Sequence, residues 1–187
     1  MHTIRNILNR RALIRIAPAF FWTLTCLFSA CEDRLPSDWG GVPGPDSLSD
    51  NAFVLDGDGY RSGIFNLQPR SARAYYFVSD DVTSILNADT IVGPHGDRVA
   101  VVVHLSVPGG GSGNFSWANA LQDPAAKCKV RILIGNVEYV SITGATQMLV
   151  LSDPMSRRVR GSYSGVIQSG AGKQVILSNG RFDGAYF

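Results

Sequence analysis

The stretch from Cys128 to Ile142, CKVRILIGNVEYVSI, indicates most clearly how this chain folds. Apolar and polar residues alternate along it on either side of a Gly-Asn dipeptide, which is the pattern of two strands joined by a two-residue turn. Pairing across that turn places Ile134 opposite Val137 and Ile132 opposite Tyr139, on one apolar face. We therefore predict an antiparallel hairpin that contributes this face to a hydrophobic core.

The same short-strand pattern continues on both sides of the hairpin. Val99–Val107 alternates as a core strand does, and further short strands bounded by Gly, Pro, Asn or Asp are predicted from Ala52 onward. No stretch after Cys31 has a sustained helical period. Without helices to cover a sheet, both sets of side chains are buried by two packed sheets or by closure into a barrel. We predict an all-β antiparallel sandwich over residues 51–187, with barrel-like closure as the alternative.

The N-terminus has the three parts of an export signal. Four arginines and no acidic residue precede Cys31, an apolar run covers 16–28, and Ser29 and Ala30 are small. This order resembles the signal of bacterial lipoproteins, in which the cysteine is acylated and becomes the first mature residue. The resemblance implies a signal peptide over residues 1–30 and a membrane anchor of fatty acyl chains, such as palmitate, on Cys31. An arginine pair in the signal leaves both the general and the twin-arginine export routes open.

Residues 31–50 are predicted to be a flexible tether, because they are rich in Pro, Gly and acidic residues and contain a single aromatic. Removal of the signal also changes the charge. The whole chain has 17 basic and 15 acidic residues, and loss of four arginines leaves 13 against 15, a formal net charge of −2. That balance provides no basic footprint for nucleic acid, so we expect no nucleic-acid partner.

The sequence contains no recognisable catalytic or metal-binding pattern. Cys128 alternates with the apolar residues of its strand and is interpreted as a small buried hydrophobe. His95 and His104 have no ligand partner at a suitable spacing on their own elements. The acidic turn Asp56–Gly59 lacks the later ligands of a calcium loop, so we interpret it as a plain turn. We predict no catalytic residue, no metal and no cofactor apart from the lipid on Cys31.

Three aromatic residues are the candidate ligand-binding residues: Tyr60, Phe115 and Trp117. Concave sites that combine apolar rings with a few polar groups are the usual geometry for small ligands. The run Arg157–Arg160 contains three arginines and can bind an anionic glycan or phosphate. We interpret that run instead as a solvated strand end.

From residue 113 onward, the order of turns and strands resembles small Bacteroidota lipoproteins of unknown function. The resemblance rests on a Gly-Asn-Phe segment, on Arg160–Gly165 and on Ser178–Asp183. It implies a lipoprotein of the outer membrane, either exposed at the cell surface or facing the periplasm, and it supplies no catalytic residues.

Together these features favour a membrane-anchored envelope lipoprotein whose β domain binds a glycan or a protein. A structural or assembly role, in which the domain docks on another envelope protein, is the alternative. A hydrolase is the third interpretation, and we expect binding rather than catalysis.

Overall fold

The computed structural model describes residues 48–151 and 157–187. The predicted signal peptide, the lipidated Cys31 and all but the last three residues of the predicted tether lie outside these ranges. The described residues form ten strands and no helix, so the all-β prediction is confirmed. Within the same ranges, no helix has the length and apolarity needed to cross a membrane.

The strands vary from short edge strands to long, bent ones. In chain order they are β1 (Ala52–Gly57), β2 (Tyr60–Asn66), β3 (Ala72–Phe77), β4 (Val82–Val92), β5 (Arg98–Pro108), β6 (Gly113–Ser116), β7 (Lys129–Ile134), β8 (Val137–Leu151), β9 (Arg158–Ser169) and β10 (Gln174–Tyr186).

Seven of these strands close into a barrel in the order β10-β3-β4-β5-β7-β8-β9, because β9 pairs with both β8 and β10. The pair β10–β3 is parallel and the other pairs are antiparallel. Of the two arrangements considered from the sequence, this chain therefore adopts barrel closure. The β1–β2 hairpin extends from β10, and β6 extends from β8, outside the ring.

The predicted hairpin is formed by β7 and β8 in the predicted register. Ile132 pairs with Tyr139 and Ile134 with Val137. Ile132, Ile134 and Tyr139 are buried, whereas Val137 is exposed because it lies at the tip of the hairpin. A two-residue turn fixes the register of its flanking strands, so this local feature could be predicted from the sequence.

The core fills the inside of the ring and continues under the β1–β2 hairpin. Alternate residues of β5 are buried as predicted, namely Val101, Val103, Leu105 and Val107. On the hairpin, Phe53 and Phe65 are fully buried and their rings stack with centroids 4.7 Å apart. The hairpin is thus held to the barrel by apolar contacts as well as by its pairing with β10.

Candidate functional site

The structure places Trp117 in the core. This residue is 7% exposed, and its indole N–H donates a hydrogen bond to Thr146 Oγ1 at 2.7 Å. Its ring lies against Gly144 and Gly165, which face each other on β8 and β9. A Cβ atom at Gly144 would lie 2.5 Å from the Trp117 ring, and one at Gly165 would lie 2.7 Å from it. The paired glycines make room for the indole, so Trp117 stabilises the barrel.

The other two predicted aromatic residues lie on separate elements. Tyr60, at the start of β2, stacks on His95 with centroids 5.3 Å apart and meets Phe65 edge-on at 5.5 Å. Phe115, on β6, is partly buried and packs against the core. Among the described residues, no ring contact joins Tyr60 to Phe115 or Trp117. The three residues are therefore not brought together in one aromatic surface.

The acidic turn between β1 and β2 is tied to the end of the barrel. Asp58 forms an ion pair with Lys173, Oδ1 to Nζ, at 2.6 Å, and its Oδ2 accepts a hydrogen bond from the Tyr139 hydroxyl at 2.8 Å. The hydrogen bond from Lys173, followed by that from Tyr139, lowers the pKa of Asp58. Through these two contacts, the Asp58 carboxylate links the β1–β2 hairpin to β8 and to the β9–β10 turn. Within the described ranges, no group of three or more His, Cys, Asp or Glu residues is arranged to hold a metal ion.

A serine and a histidine are hydrogen-bonded on the outer face of the barrel. The atoms Ser84 Oγ and His104 Nε2 are 2.7 Å apart, on the neighbouring strands β4 and β5. Burial, followed by the charges of Arg131 and Lys129, lowers the pKa of His104. No carboxylate in the described part of the chain is hydrogen-bonded to this imidazole, so the pair lacks the third group that orients a catalytic base. The Ser84 hydroxyl provides the half-buried His104 ring with a hydrogen-bond partner.

Cys128 is half-buried and packs against the edge of the core. Burial raises the pKa of its thiol to about 11. A thiol with this pKa carries almost no thiolate at neutral pH, and the thiolate is the nucleophile in cysteine catalysis. Cys128 is therefore suited to packing, in agreement with its alternation in the sequence.

The site with the best geometry for a ligand is a cleft of about 630 Å³ on the outer face of β8, β9 and β10. We call it the β8–β10 cleft. Its lining includes polar and charged side chains from these strands, from β6 and from the segment before β1. The residues that matter for its chemistry are Asp50, Asn114, Gln147, Arg160, Ser162 and Arg181.

Strand register brings these side chains together in rows. Gln147 pairs with Asn114 on one side and with Ser162 on the other, and Ser162 in turn pairs with Arg181. Arg160 lies in the next row, two residues along β9 from Ser162. Residues directly opposite each other in an antiparallel pair point to the same face, so this polar set shares one face.

A glycine allows the strands to approach each other beneath the cleft. Gly161 pairs with Phe182 of β10 and points inward, between two residues that point outward. A Cβ atom at Gly161 would lie 1.9 Å from the Gln147 carbonyl oxygen and 2.5 Å from the Phe182 ring. Because glycine has no Cβ, β8 and the Phe182 ring can occupy this space. This close packing sets the spacing of β8, β9 and β10, and therefore the spacing of the outward-pointing side chains that line the cleft.

One carboxylate beside the cleft is fully engaged within the protein. Asp183 is directly opposite Arg160, yet its two carboxylate oxygens are bound by Arg158, with Nε to Oδ1 at 2.6 Å and Nη2 to Oδ2. Asn51 also holds the Asp183 backbone, accepting from its N–H at 2.9 Å and donating to its carbonyl at 3.0 Å. The Asp183 side chain is only 9% exposed. Asp183 therefore serves to join β9, β10 and the start of β1.

This arrangement leaves two arginines facing the cleft, which we call the arginine pair: Arg160 and Arg181. Among the described residues, no carboxylate oxygen lies within 4.0 Å of either guanidinium. Asp50 also lines the cleft and is exposed. The lining contains two arginines and two aspartates, but Arg158, outside the lining, compensates the charge of Asp183, so two positive charges remain against that of Asp50. The cleft thus has a local positive excess on a chain whose predicted mature form is acidic.

Sequence reasoning identified only part of this cleft. It singled out the run Arg157–Arg160 but interpreted the run as a solvated strand end. Arg181, Gln147 and Ser162 were not selected, because each looks like an ordinary outward residue until the register of three distant strands is known. The only signal in the sequence was that Arg160 and Arg181 each lie within one of the two short motifs noted above, Arg160–Gly165 and Ser178–Asp183.

A separate patch of exposed apolar residues lies at the end of β3. Tyr75, Phe77, Val78 and the C-terminal Phe187 are between 43% and 77% exposed. The rings of Tyr75 and Phe187 stack with centroids 5.2 Å apart. We call these four residues the aromatic patch, and exposed apolar patches of this kind are typical of contact surfaces.

Comparison with known proteins gives no matching family model, no matching curated protein and no matching solved structure. Because a fold alone does not define a function, the function is argued from the chemistry of the cleft.

Proposed function

We propose that this chain is a membrane-anchored envelope lipoprotein whose β-barrel binds a ligand, a glycan or a protein, in the β8–β10 cleft. The observation that carries this proposal is the arginine pair beside neutral polar side chains in a concave surface of about 630 Å³. Small-ligand sites commonly have volumes of about 300–1,000 Å³ and a few convergent polar groups. Such a surface provides both orientation and affinity for a bound molecule.

The anchoring part of the proposal rests on the N-terminal sequence. Acylation of Cys31 would hold the protein at the outer membrane, because each buried CH₂ group contributes about 0.8 kcal/mol and several chains act together. The barrel would then be free to present its cleft at the cell surface or to the periplasm.

The cleft is tested by filling it. Ser162→Trp places a large ring among the polar rows, and Thr90→Trp, on an exposed position of β4 across the barrel, is the matched control. We would screen the full chain in mild detergent against neutral and acidic oligosaccharides by thermal unfolding. A ligand that binds only the folded state adds about 2.7 kcal/mol at a hundredfold excess over its Kd. The expected result is a shift in Tm with one ligand class that Ser162→Trp abolishes and Thr90→Trp retains.

Two outcomes would contradict the binding of a glycan in this cleft. One is a shift that survives Ser162→Trp, which would place the ligand elsewhere on the barrel. The other is the absence of a shift with every oligosaccharide class, which would favour a protein partner.

The second candidate function is docking on another envelope protein, and the aromatic patch favours it. A photo-crosslinking amino acid at position 77 should then give a crosslinked product in cells, whereas the same group at exposed Arg61 on β2 should not. Equal crosslinking at both positions, or none at position 77, would argue against docking through this patch.

A hydrolase has less support from the same geometry. Asp50 and Asp183 both line the cleft, and paired carboxylates are the usual catalytic groups of glycosidases. The Asp183 carboxylate, however, is bound on both oxygens by Arg158. Both of its oxygens are thus engaged within the protein, and its side chain is only 9% exposed, so Asp183 is poorly placed to contact a bound sugar.

A further inference from the structure

We infer that the ligand of the β8–β10 cleft is an acidic glycan, with a sugar carboxylate bound between Arg160 and Arg181. This inference rests on the proposed function and specifies the ligand of the same site.

The two residues of the arginine pair lie on neighbouring strands of the barrel. Ser162 is opposite Arg181 and Asp183 is opposite Arg160, so Arg160 and Arg181 are diagonal neighbours on the same face of β9 and β10. Diagonal positions in an antiparallel pair are about 7–8 Å apart, within reach of long side chains. The two guanidinium groups can therefore converge on one anion held between them.

Among the described residues, no carboxylate is paired with either arginine of the cleft. Asp183 is the direct cross-strand neighbour of Arg160, but Arg158 engages both of its oxygens and Asn51 fixes its backbone. The carboxylate nearest to the arginine pair along the sheet is thus already paired with Arg158. A carboxylate of the ligand can instead pair with Arg160 and Arg181, because arginine binds carboxylates through two parallel N–H···O bonds.

The charge of Asp50 favours one kind of anion over another. Asp50 lines the same cleft, so a ligand with a high charge density would be repelled at that end. A singly charged sugar carboxylate meets the arginine pair with less repulsion from Asp50 than a dianionic phosphate does.

A row of neutral polar side chains lies beside the arginine pair. Asn114 and Gln147 supply amides and Ser162 supplies a hydroxyl, all on the cleft face, and such groups pair with sugar hydroxyls as donors and acceptors. Leu149, also at the cleft and 39% exposed, offers an apolar surface for the C–H face of a sugar ring. Charge at one point and hydroxyl-binding groups around it are the requirements of a uronic acid within an oligosaccharide.

The test compares each acid with its own neutral form. We would titrate the full chain in mild detergent with galacturonate, glucuronate and mannuronate oligosaccharides, and with the methyl ester of each, by isothermal titration calorimetry. At least one acid should bind about tenfold more tightly than its ester, because a hydrogen bond to a charged group is stronger than one to a neutral group. Arg160→Gln and Arg181→Gln should each weaken that acid about tenfold or more and weaken its ester much less, because the ester carries no charge for the guanidinium to meet. Arg98→Gln, which removes the same charge from an exposed position at the start of β5, should have no effect.

Several results would overturn the inference. Equal binding of acid and ester, no binding of any acid, or no effect of the two arginine variants would each exclude a carboxylate at the arginine pair. Binding of inorganic phosphate that is lost in Arg160→Gln, with no acid bound, would assign the site to a phosphate group instead. If the esters bind as well as the acids and Ser162→Trp abolishes both, cleft binding stands and only the acidic ligand is wrong.

Discussion

At the scale of single residues, this barrel depends on glycines that lie where another chain segment needs the space. Gly161 is the clearest example, because a Cβ atom there would lie 1.9 Å from a backbone oxygen that cannot move aside easily. Gly170, in the turn after β9, has no atom within 4 Å of the corresponding position. A comparison of alanine substitutions at these two glycines therefore separates the effect of crowding from the general effect of replacing glycine.

We predict that Gly161→Ala lowers the free energy of unfolding by about 1–3 kcal/mol or more, because the new methyl group overpacks the contact between β8 and β9. Gly170→Ala should change it by no more than about 0.5 kcal/mol. Urea unfolding followed by circular dichroism measures both values. Similar values for the two variants would show that β8 and β9 can separate at little cost.

Asp58 gives a prediction for the pH dependence of stability. Lys173 and Tyr139 lower its pKa in the folded state, from an ordinary value of 3.8. The stabilisation from a lowered pKa is present above the unfolded value and is lost as the pH falls through the folded value. Asp58→Asn should therefore destabilise the protein at pH 6, and the difference from the unsubstituted chain should shrink towards pH 3.

Urea midpoints at the two pH values measure this effect, with Asp56→Asn on the same turn as the control. Asp56 is exposed, so its substitution should leave the midpoint nearly unchanged at both pH values. A difference for Asp58→Asn that stays constant down to pH 3 would contradict an electrostatic origin.

At the scale of elements, two arginines on β9 have different roles although they are only two residues apart. Arg158 pairs with nearly buried Asp183 and so joins β9 to β10, while Arg160 faces the cleft. We predict that Arg158→Met lowers the urea midpoint clearly more than Arg160→Met, because only the former leaves a nearly buried carboxylate without its partner. Both variants lose the same charge, so net charge cannot explain a difference.

The opposite order, or equal midpoints, would show that the Arg158–Asp183 pair does not hold the strands together. Ligand binding gives the complementary readout for the same two variants. The loss of Arg160 should weaken an acidic ligand in a chain that remains fully folded, which separates the binding role from the structural one.

The burial of Trp117 shows why position along an element matters for function. An exposed ring was expected at this position, but β6 runs beside β8 and brings the indole over Gly144 and Gly165. Replacement of a buried aromatic by alanine typically costs about 3–5 kcal/mol. A Trp117→Ala variant that failed to bind a ligand would therefore report unfolding, and Ser162→Trp is the better probe.

At the scale of the whole molecule, the barrel is expected to be held at the membrane by one residue outside the described ranges. We predict that Cys31→Ala abolishes incorporation of radiolabelled palmitate when the full chain is made in a bacterial host, because acylation requires the thiol. Cys128→Ala should be labelled normally, since this thiol is half-buried in the barrel. Labelling that persists in Cys31→Ala would contradict the lipoprotein proposal.

The sequence by itself determined the features that depend on neighbours along the chain. The all-β class follows from alternation and turn residues, and the register of β7 with β8 follows from a two-residue turn at Gly135. The predictions of an export signal, a tether and an acylated cysteine likewise rest on local order and composition. These patterns require no knowledge of which distant segments meet.

Only the tertiary structure decided between a sandwich and a barrel, and only it defined the cleft. Closure depends on the parallel pairing of β3 with β10 and on β9 pairing on both edges, between segments far apart in the sequence. The same long-range register decides that Asp183 binds Arg158 and leaves Arg160 beside Arg181. Local patterns show that a side chain points outward, but they cannot show which charges it will meet there. The physical reason is that charge pairing depends on distance in space, which long-range strand register sets.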